Sequence, residues 1–214
     1  MEFIKETLHY FLHLDESLKQ IILDYQNWTY LILFLIIFVE TGLVIMPFLP
    51  GDSLLFAAGS FAAAGSFNVF FLIVLLFIAA FLGDTVNYMV GNFIGPKVFK
   101  RDYILLKRAH LLKTQSFFQT HGPKTIIIAR FIPIIRTFAP FIAGVGTMNY
   151  GKFISYNIIG GAIWVVSLTF LGYFFGQLEI VKRNFELVII GIIVLSILPP
   201  VFEFLRSRFF RKAV

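Results

Sequence analysis

The stretch Thr125–Gly146 reads TIIIARFIPIIRTFAPFIAGVG, an apolar run interrupted by Arg130, Pro133, Arg136 and Pro140. It has the length of a membrane span, yet each guanidinium stays charged and would cost about 2.5–3.5 kcal/mol at the centre of a membrane helix. Both arginines therefore call for an anion or water at depth. Proline removes a backbone donor and clashes with the preceding turn, so irregular backbone is expected around Pro133 and Pro140. Such backbone is tolerated inside a bilayer only where protein or a water-filled cavity covers it. A segment of opposite sign lies earlier, where Glu40 and Asp52 bracket Pro47, Pro50 and Gly51 in FVETGLVIMPFLPGD.

The rest of the chain agrees with a membrane setting. Of 214 residues 58% are hydrophobic and only 14% charged, against roughly a quarter charged in soluble domains. This composition implies an all-α polytopic membrane protein and excludes a soluble domain of useful size. The first 27 residues carry several charges and lack the short basic start and unbroken apolar core of a cleavable signal, so an uncleaved chain is expected. Zero cysteines rule out disulfides and thiolate chemistry. His9, His13, His110 and His121 lie in polar flanks without carboxylates at ligand spacing, so neither a metal nor a cofactor is expected.

Charge is unevenly placed. Between Lys97 and Lys124 seven basic residues face the single Asp102, and the tail adds Arg206, Arg208, Arg211 and Lys212. Next to membrane spans the positive-inside rule accounts for both clusters without nucleic acid, and it assigns the central loop and the C-terminus to the cytoplasm. An even number of crossings must then separate them. Three apolar segments do: Thr125–Gly146, Phe153–Gly176 and Leu187–Leu205. The one with two arginines and two prolines is the one expected not to cross, which makes it a re-entrant hairpin entered from the cytoplasmic side. Leu54–Gly65, too short to span and following the Pro50-Gly51 break, is expected to form a second hairpin from the opposite face. Trp28–Met46 and Phe67–Gly95 are then single crossings, for about four full spans in all. Residues 1–27 place apolar side chains at helical spacing between charges, which fits an amphipathic segment lying on the membrane or packed on the bundle. Residues 28–205 form the transmembrane domain and 206–214 a basic cytoplasmic tail.

An internal repeat supports two opposed hairpins. Phe48-Leu49-Pro50 followed by Phe56-Ala57-Ala58-Gly59 matches Phe131-Ile132-Pro133 followed by Phe141-Ile142-Ala143-Gly144, and Gly91–Gly95 matches Gly172–Gly176. The offsets are 83, 85 and 81 residues, which divides the domain into halves of about 28–96 and 125–177. An inverted repeat of this kind places a site near the midplane between two broken elements.

Five ionisable groups sit at apparent membrane depth: Glu40, Asp52, Asp84, Arg130 and Arg136. Taken singly they would cost roughly 15 kcal/mol, comparable with the stability of a whole domain, so they must compensate one another or be hydrated. Glu40 and Asp52 are expected to face Arg130 and Arg136. A purely structural role for such pairs is a weak reason to carry several, because buried pairs often stabilise less than apolar replacements. Asp84 is open between function and structure: in Gly83-Asp84-x3-Tyr88-x2-Gly91 the small residues suit helix packing, and the acid has Tyr88 or a backbone group within sequence reach. Trp164, after Asn157 and Gly160-Gly161, is placed to line a cavity, with packing the favoured reading. Two arginines on one irregular hairpin suit a planar, bidentate anion such as phosphate, and the carboxylates suit proton uptake and release.

These residues resemble the DedA family of membrane proteins. The likeness rests on Glu40 with Pro47 and Pro50-Gly51-Asp52, on Gly83-Asp84-x3-Tyr88-x2-Gly91, on Arg130-Phe131-x-Pro133-x2-Arg136-x3-Pro140, and on Ala143-Gly144, Met148, Phe153, Asn157, Gly160 and Trp164, over residues 28–177. The resemblance implies a multi-pass transporter of the bacterial inner membrane with two opposed re-entrant hairpins. It also implies recycling of undecaprenyl phosphate or a related anionic lipid, links to proton-motive force and alkaline or drug tolerance, and dependence on Glu40, Asp52, Arg130 and Arg136. Where the family turn often has Glu, this chain has Asp52.

The expected function is translocation of a lipid phosphate with Arg130 and Arg136 as its receptor and Glu40 and Asp52 as proton-coupling acids. The alternative is a cation/proton antiporter in which the carboxylates bind the ion. An enzyme acting on lipid phosphates is disfavoured, because neither His nor a nucleophile accompanies the arginines. A homo-oligomer is left open by the sequence.

Overall fold

The computed structural model describes residues 27–43, 51–100, 122, 124–146, 148–192 and 194, together with 20, 22, 24 and 25. Pro47, Pro50, the tail, most of the amphipathic N-terminal segment and most of the basic central connection lie outside the described residues. The described residues are helical, without strands: α1 (Trp28–Gly42), α2 (Gly51–Ala63), α3 (Val69–Lys100), α4 (Lys124–Ala129), α5 (Pro133–Val145), α6 (Tyr150–Phe175) and α7 (Glu179–Arg183), followed by helical backbone over 185–192. Among the described residues two helices are long and apolar enough to cross a membrane, Val69–Gly95 within α3 and Tyr150–Phe175; Trp28–Gly42 and Ile135–Val145 are shorter apolar helices.

Local chemistry explains the boundaries. At the end of α2 the Gly65 N–H reaches the Ala62 carbonyl at 3.1 Å and the Ser66 N–H the Phe61 carbonyl at 3.0 Å, with Gly65 at φ 89°. This is the left-handed cap that glycine adopts without a Cβ penalty. The Asn68 side chain then accepts from the Phe70 and Phe71 N–H groups, both at 3.1 Å, and so starts α3. Asn149 serves α6 in the same way, accepting from the Lys152 N–H at 3.2 Å.

The interrupted segment behaves partly as expected. After α4 the N–H groups of Arg130, Phe131 and Ile132 each bond three residues back, a tightening that ends the helix. Ile132 is extended, and Pro133 opens α5 at a position where its missing N–H is not needed. The break thus falls at Arg130–Ile132. Pro140, expected as a second break, instead lies inside α5, which runs on to Val145; without an N–H it makes no bond to the Arg136 carbonyl.

The chain divides into two compact units. The first comprises residues up to 34, 50–76 and 165 onward; the second comprises 35–49 and 77–164. Within the first, α2 crosses α6 so closely that a Cβ on Gly59 would meet the Thr169 carbonyl and one on Gly172 the Phe56 carbonyl, while Gly176 lies against Ser60. Within the second, α5 crosses α3 with Gly144 on the Tyr88 carbonyl, Gly91 on the Phe141 carbonyl and Gly95 against Val145. Moving the first set forward 85 residues on the short helix and back 81 on the long one produces the second. The sequence repeat is therefore one helix crossing built twice. Small residues allow it, since backbones can approach to contact only where no side chain intervenes.

Candidate functional site

Among the described residues, the buried charges of the second unit form two ion pairs. Arg136, one turn into α5, donates through Nη2 to Glu40 Oε1 near the end of α1. Arg130, at the break before α5, donates through Nη2 to Asp84 Oδ2 on α3 and to Asn157 Oδ1 on α6. None of the four charged residues is more than 6% exposed. Two cations and two anions make the cluster neutral, and each charge has a partner to offset its loss of water.

Packing positions these groups. Gly83 lies on Thr41 and Gly42, so α1 and α3 touch beside Glu40 and Asp84. Asn87, one turn beyond Asp84, donates its Nδ2 to the Thr41 carbonyl at 3.1 Å and the Thr137 carbonyl at 2.7 Å. Thr41 follows Glu40 and Thr137 follows Arg136, so a single buried amide fastens together the two backbones that carry the pair. Asn157 donates in turn to the Phe81 carbonyl at 3.3 Å. On α6 the Gly160-Gly161 notch admits the Arg130 side chain: a Cβ at 160 would lie 3.2 Å from Arg130 Cδ, and one at 161 would lie 3.3 Å from Nη2. Trp164, also buried, sits beneath both cations, with Cζ of Arg130 5.9 Å and of Arg136 5.0 Å from its ring centroid.

The sequence-predicted residues are thus distributed unevenly. Glu40, Arg130 and Arg136 converge, and Asp84 joins them. Tyr88 does not receive Asp84; its hydroxyl donates to the Met148 carbonyl, and its ring stacks on Phe153 at 4.4 Å. Asp52 belongs to the first unit, half-buried in the first turn of α2, with Gly51 as the first residue of that helix. Asn87 was not singled out by the sequence. The available signal was its spacing: Asp84 and Asn87 are three apart on one face of an otherwise apolar helix. Trp164, for which packing was favoured over lining a cavity, faces the arginines.

Apolar helices of membrane-crossing length, with paired charges buried among them, are features of an integral membrane protein. The VTT domain family matches residues 49–174. Protein DedA of Escherichia coli strain K12 is 49% identical over 211 residues, covering 97% of this chain and 96% of that protein. The inner membrane protein YqjA of the same strain is 38% identical over 149 residues, 69% of this chain and 68% of its own length. The uncharacterized membrane protein Rv0364 of Mycobacterium tuberculosis strain H37Rv is 42% identical over 168 residues, 77% of this chain and 74% of its own. The chain belongs to the DedA family of membrane proteins. No solved structure matches it.

Proposed function

We propose that this protein carries an anionic lipid phosphate, undecaprenyl phosphate or a related lipid, across the bacterial inner membrane, with proton uptake coupled to anion entry. The observation that carries this reading is the pairing of two buried guanidiniums with two buried carboxylates. A phosphate group suits arginine's planar fork. Its entry adds negative charge to a neutral buried cluster, and an unbalanced buried charge costs several kcal/mol. A proton taken up by Glu40 or Asp84 for each negative charge that enters, one for a phosphate monoanion and two for a dianion, restores neutrality and frees the guanidinium for the phosphate. The lipid tail stays in the bilayer throughout.

In this reading α4, the break at Arg130–Ile132 and α5 form the cytoplasmic re-entrant hairpin, and α2 belongs to its opposed counterpart, which carries Asp52 as a further coupling acid. The two halves form an inverted repeat within about four spans, with the central loop and C-terminus in the cytoplasm. The duplicated glycine crossing supports the repeat, and the helix break at the arginines supports the hairpin. The carboxylates engage guanidiniums, which favours an anion rather than a free cation as the transported species.

Reconstitution in vesicles with labelled undecaprenyl phosphate tests the proposal, comparing the parent with Glu40→Gln, Asp52→Asn, Asp84→Asn, Arg130→Ala and Arg136→Ala. Lipid movement by the parent, reduced in the variants, is expected. Equal movement in all proteins sinks the reading. Cation-driven proton flux without lipid movement replaces it by an antiporter.

A further inference from the structure

Trp164 stands out because its contact with the arginines does not depend on protonation. Among the described residues Asp84, Glu40 and Asn157 bond the guanidiniums, and Asn87 fastens the backbones beside Glu40 and Arg136. Two of these are acids that the anion must displace or that must take up a proton. The indole does neither. One ring lies within 5.9 Å of both cationic carbons, inside the range where a ring quadrupole attracts a cation, and desolvation strengthens that attraction. The indole comes from α6, whereas the arginines come from the break before α5 and from α5 itself.

Resting on the anion-carrier reading above, we infer that Trp164 is a positioning residue: its indole face keeps Arg130 and Arg136 side by side when Asp84 and Glu40 no longer hold them. A guanidinium released by its carboxylate would otherwise swing on a flexible stem, and the receptor for a bidentate anion would disperse just when the anion arrives. The shared ring sets the spacing of the pair in both states. Gly160 and Gly161, one turn earlier on the same helix, leave the room for Arg130 to reach that ring.

The chain has two tryptophans, and Trp28 is 69% exposed in the first unit, so Trp28→Phe leaves Trp164 as the sole reporter in the full-length purified protein. A cation against an indole alters its emission energy and yield. Arg136→Gln is therefore compared in two backgrounds, Glu40 and Glu40→Gln, and Arg130→Gln in Asp84 and Asp84→Asn, the amides standing for protonated acids. The arginine-dependent change in emission is expected in every background. Its loss once the acid is neutralised, or its absence throughout, overturns the inference.

A second arm replaces Trp164 by ring-fluorinated tryptophans, which keep the shape and weaken the quadrupole. Movement of labelled undecaprenyl phosphate in vesicles should fall step by step with fluorination. The total loss should be about two- to thirty-fold, with Trp164→Phe intermediate and Trp164→Leu lowest. Flat activity across the fluorinated series overturns the inference. A parent that moves no lipid sinks the carrier reading alone, and the emission arm then decides the role of Trp164.

Discussion

Arg130 and Asp84, 46 positions apart in sequence, form a buried ion pair whose guanidinium is shared with Asn157. The acid that sequence reading left open between structure and function thereby becomes the partner of one of the two arginines. Removing one member of such a pair strands the other and costs about 3–5 kcal/mol, whereas neutralising both leaves no buried charge. Arg130→Gln and Asp84→Asn should each lower the apparent melting temperature of the purified protein, and the double variant should recover most of it. Lipid movement should stay low in all three. A double variant no more stable than the singles would mean that the two residues do not act as a pair.

Arg136→Lys separates charge from geometry. Lysine keeps a cation for Glu40, so folding and melting temperature should change little. Its compact ammonium cannot make two parallel bonds to a phosphate, and transport should fall about ten-fold or more. Parental transport by the lysine variant would show that charge alone suffices.

The duplicated crossing predicts matched effects in the two units. Gly91→Ala and Gly172→Ala each drive a methyl group into a carbonyl of the partner helix, an overpacking that costs on the order of 1–3 kcal/mol. Gly191 has open space around it, and Gly191→Ala should be neutral or stabilising by up to about 1 kcal/mol. Thermal unfolding in detergent compares the three; equal melting temperatures would contradict the close approach.

Topology has a direct readout, because the chain has no native cysteine. Single cysteines at Gly122 and Met148 should react with an impermeant thiol reagent from the same face of the membrane if the segment between them is re-entrant. Labelling from opposite faces would make Thr125–Gly146 a crossing.

The break near Pro133 was legible in the chain because proline and helix propensity act locally. The repeat was legible because glycine spacing survives as a pattern, and the burial of Glu40, Asp84, Arg130 and Arg136 because their apolar flanks are contiguous. Pro140 misled: proline disfavours a helix interior, but α5 continues through it to Val145, and Pro140 is buried there.

Which acid meets which arginine was decided by tertiary structure. Sequence demanded only that the arginines find anions, and it nominated Glu40 and Asp52. The partner is chosen by how the helices cross, through Gly83 against Gly42, Gly91 against Phe141 and the Asn87 bridge. Those contacts rotate Asp84 toward Arg130 and bring Glu40 to Arg136. The same crossings place Trp164 against both cations, a position that its apolar flanks could not distinguish from ordinary packing. Composition and local propensity dictate what must be buried and where the chain bends, whereas side-chain partners separated by 46 and 96 positions exist only once backbones have packed.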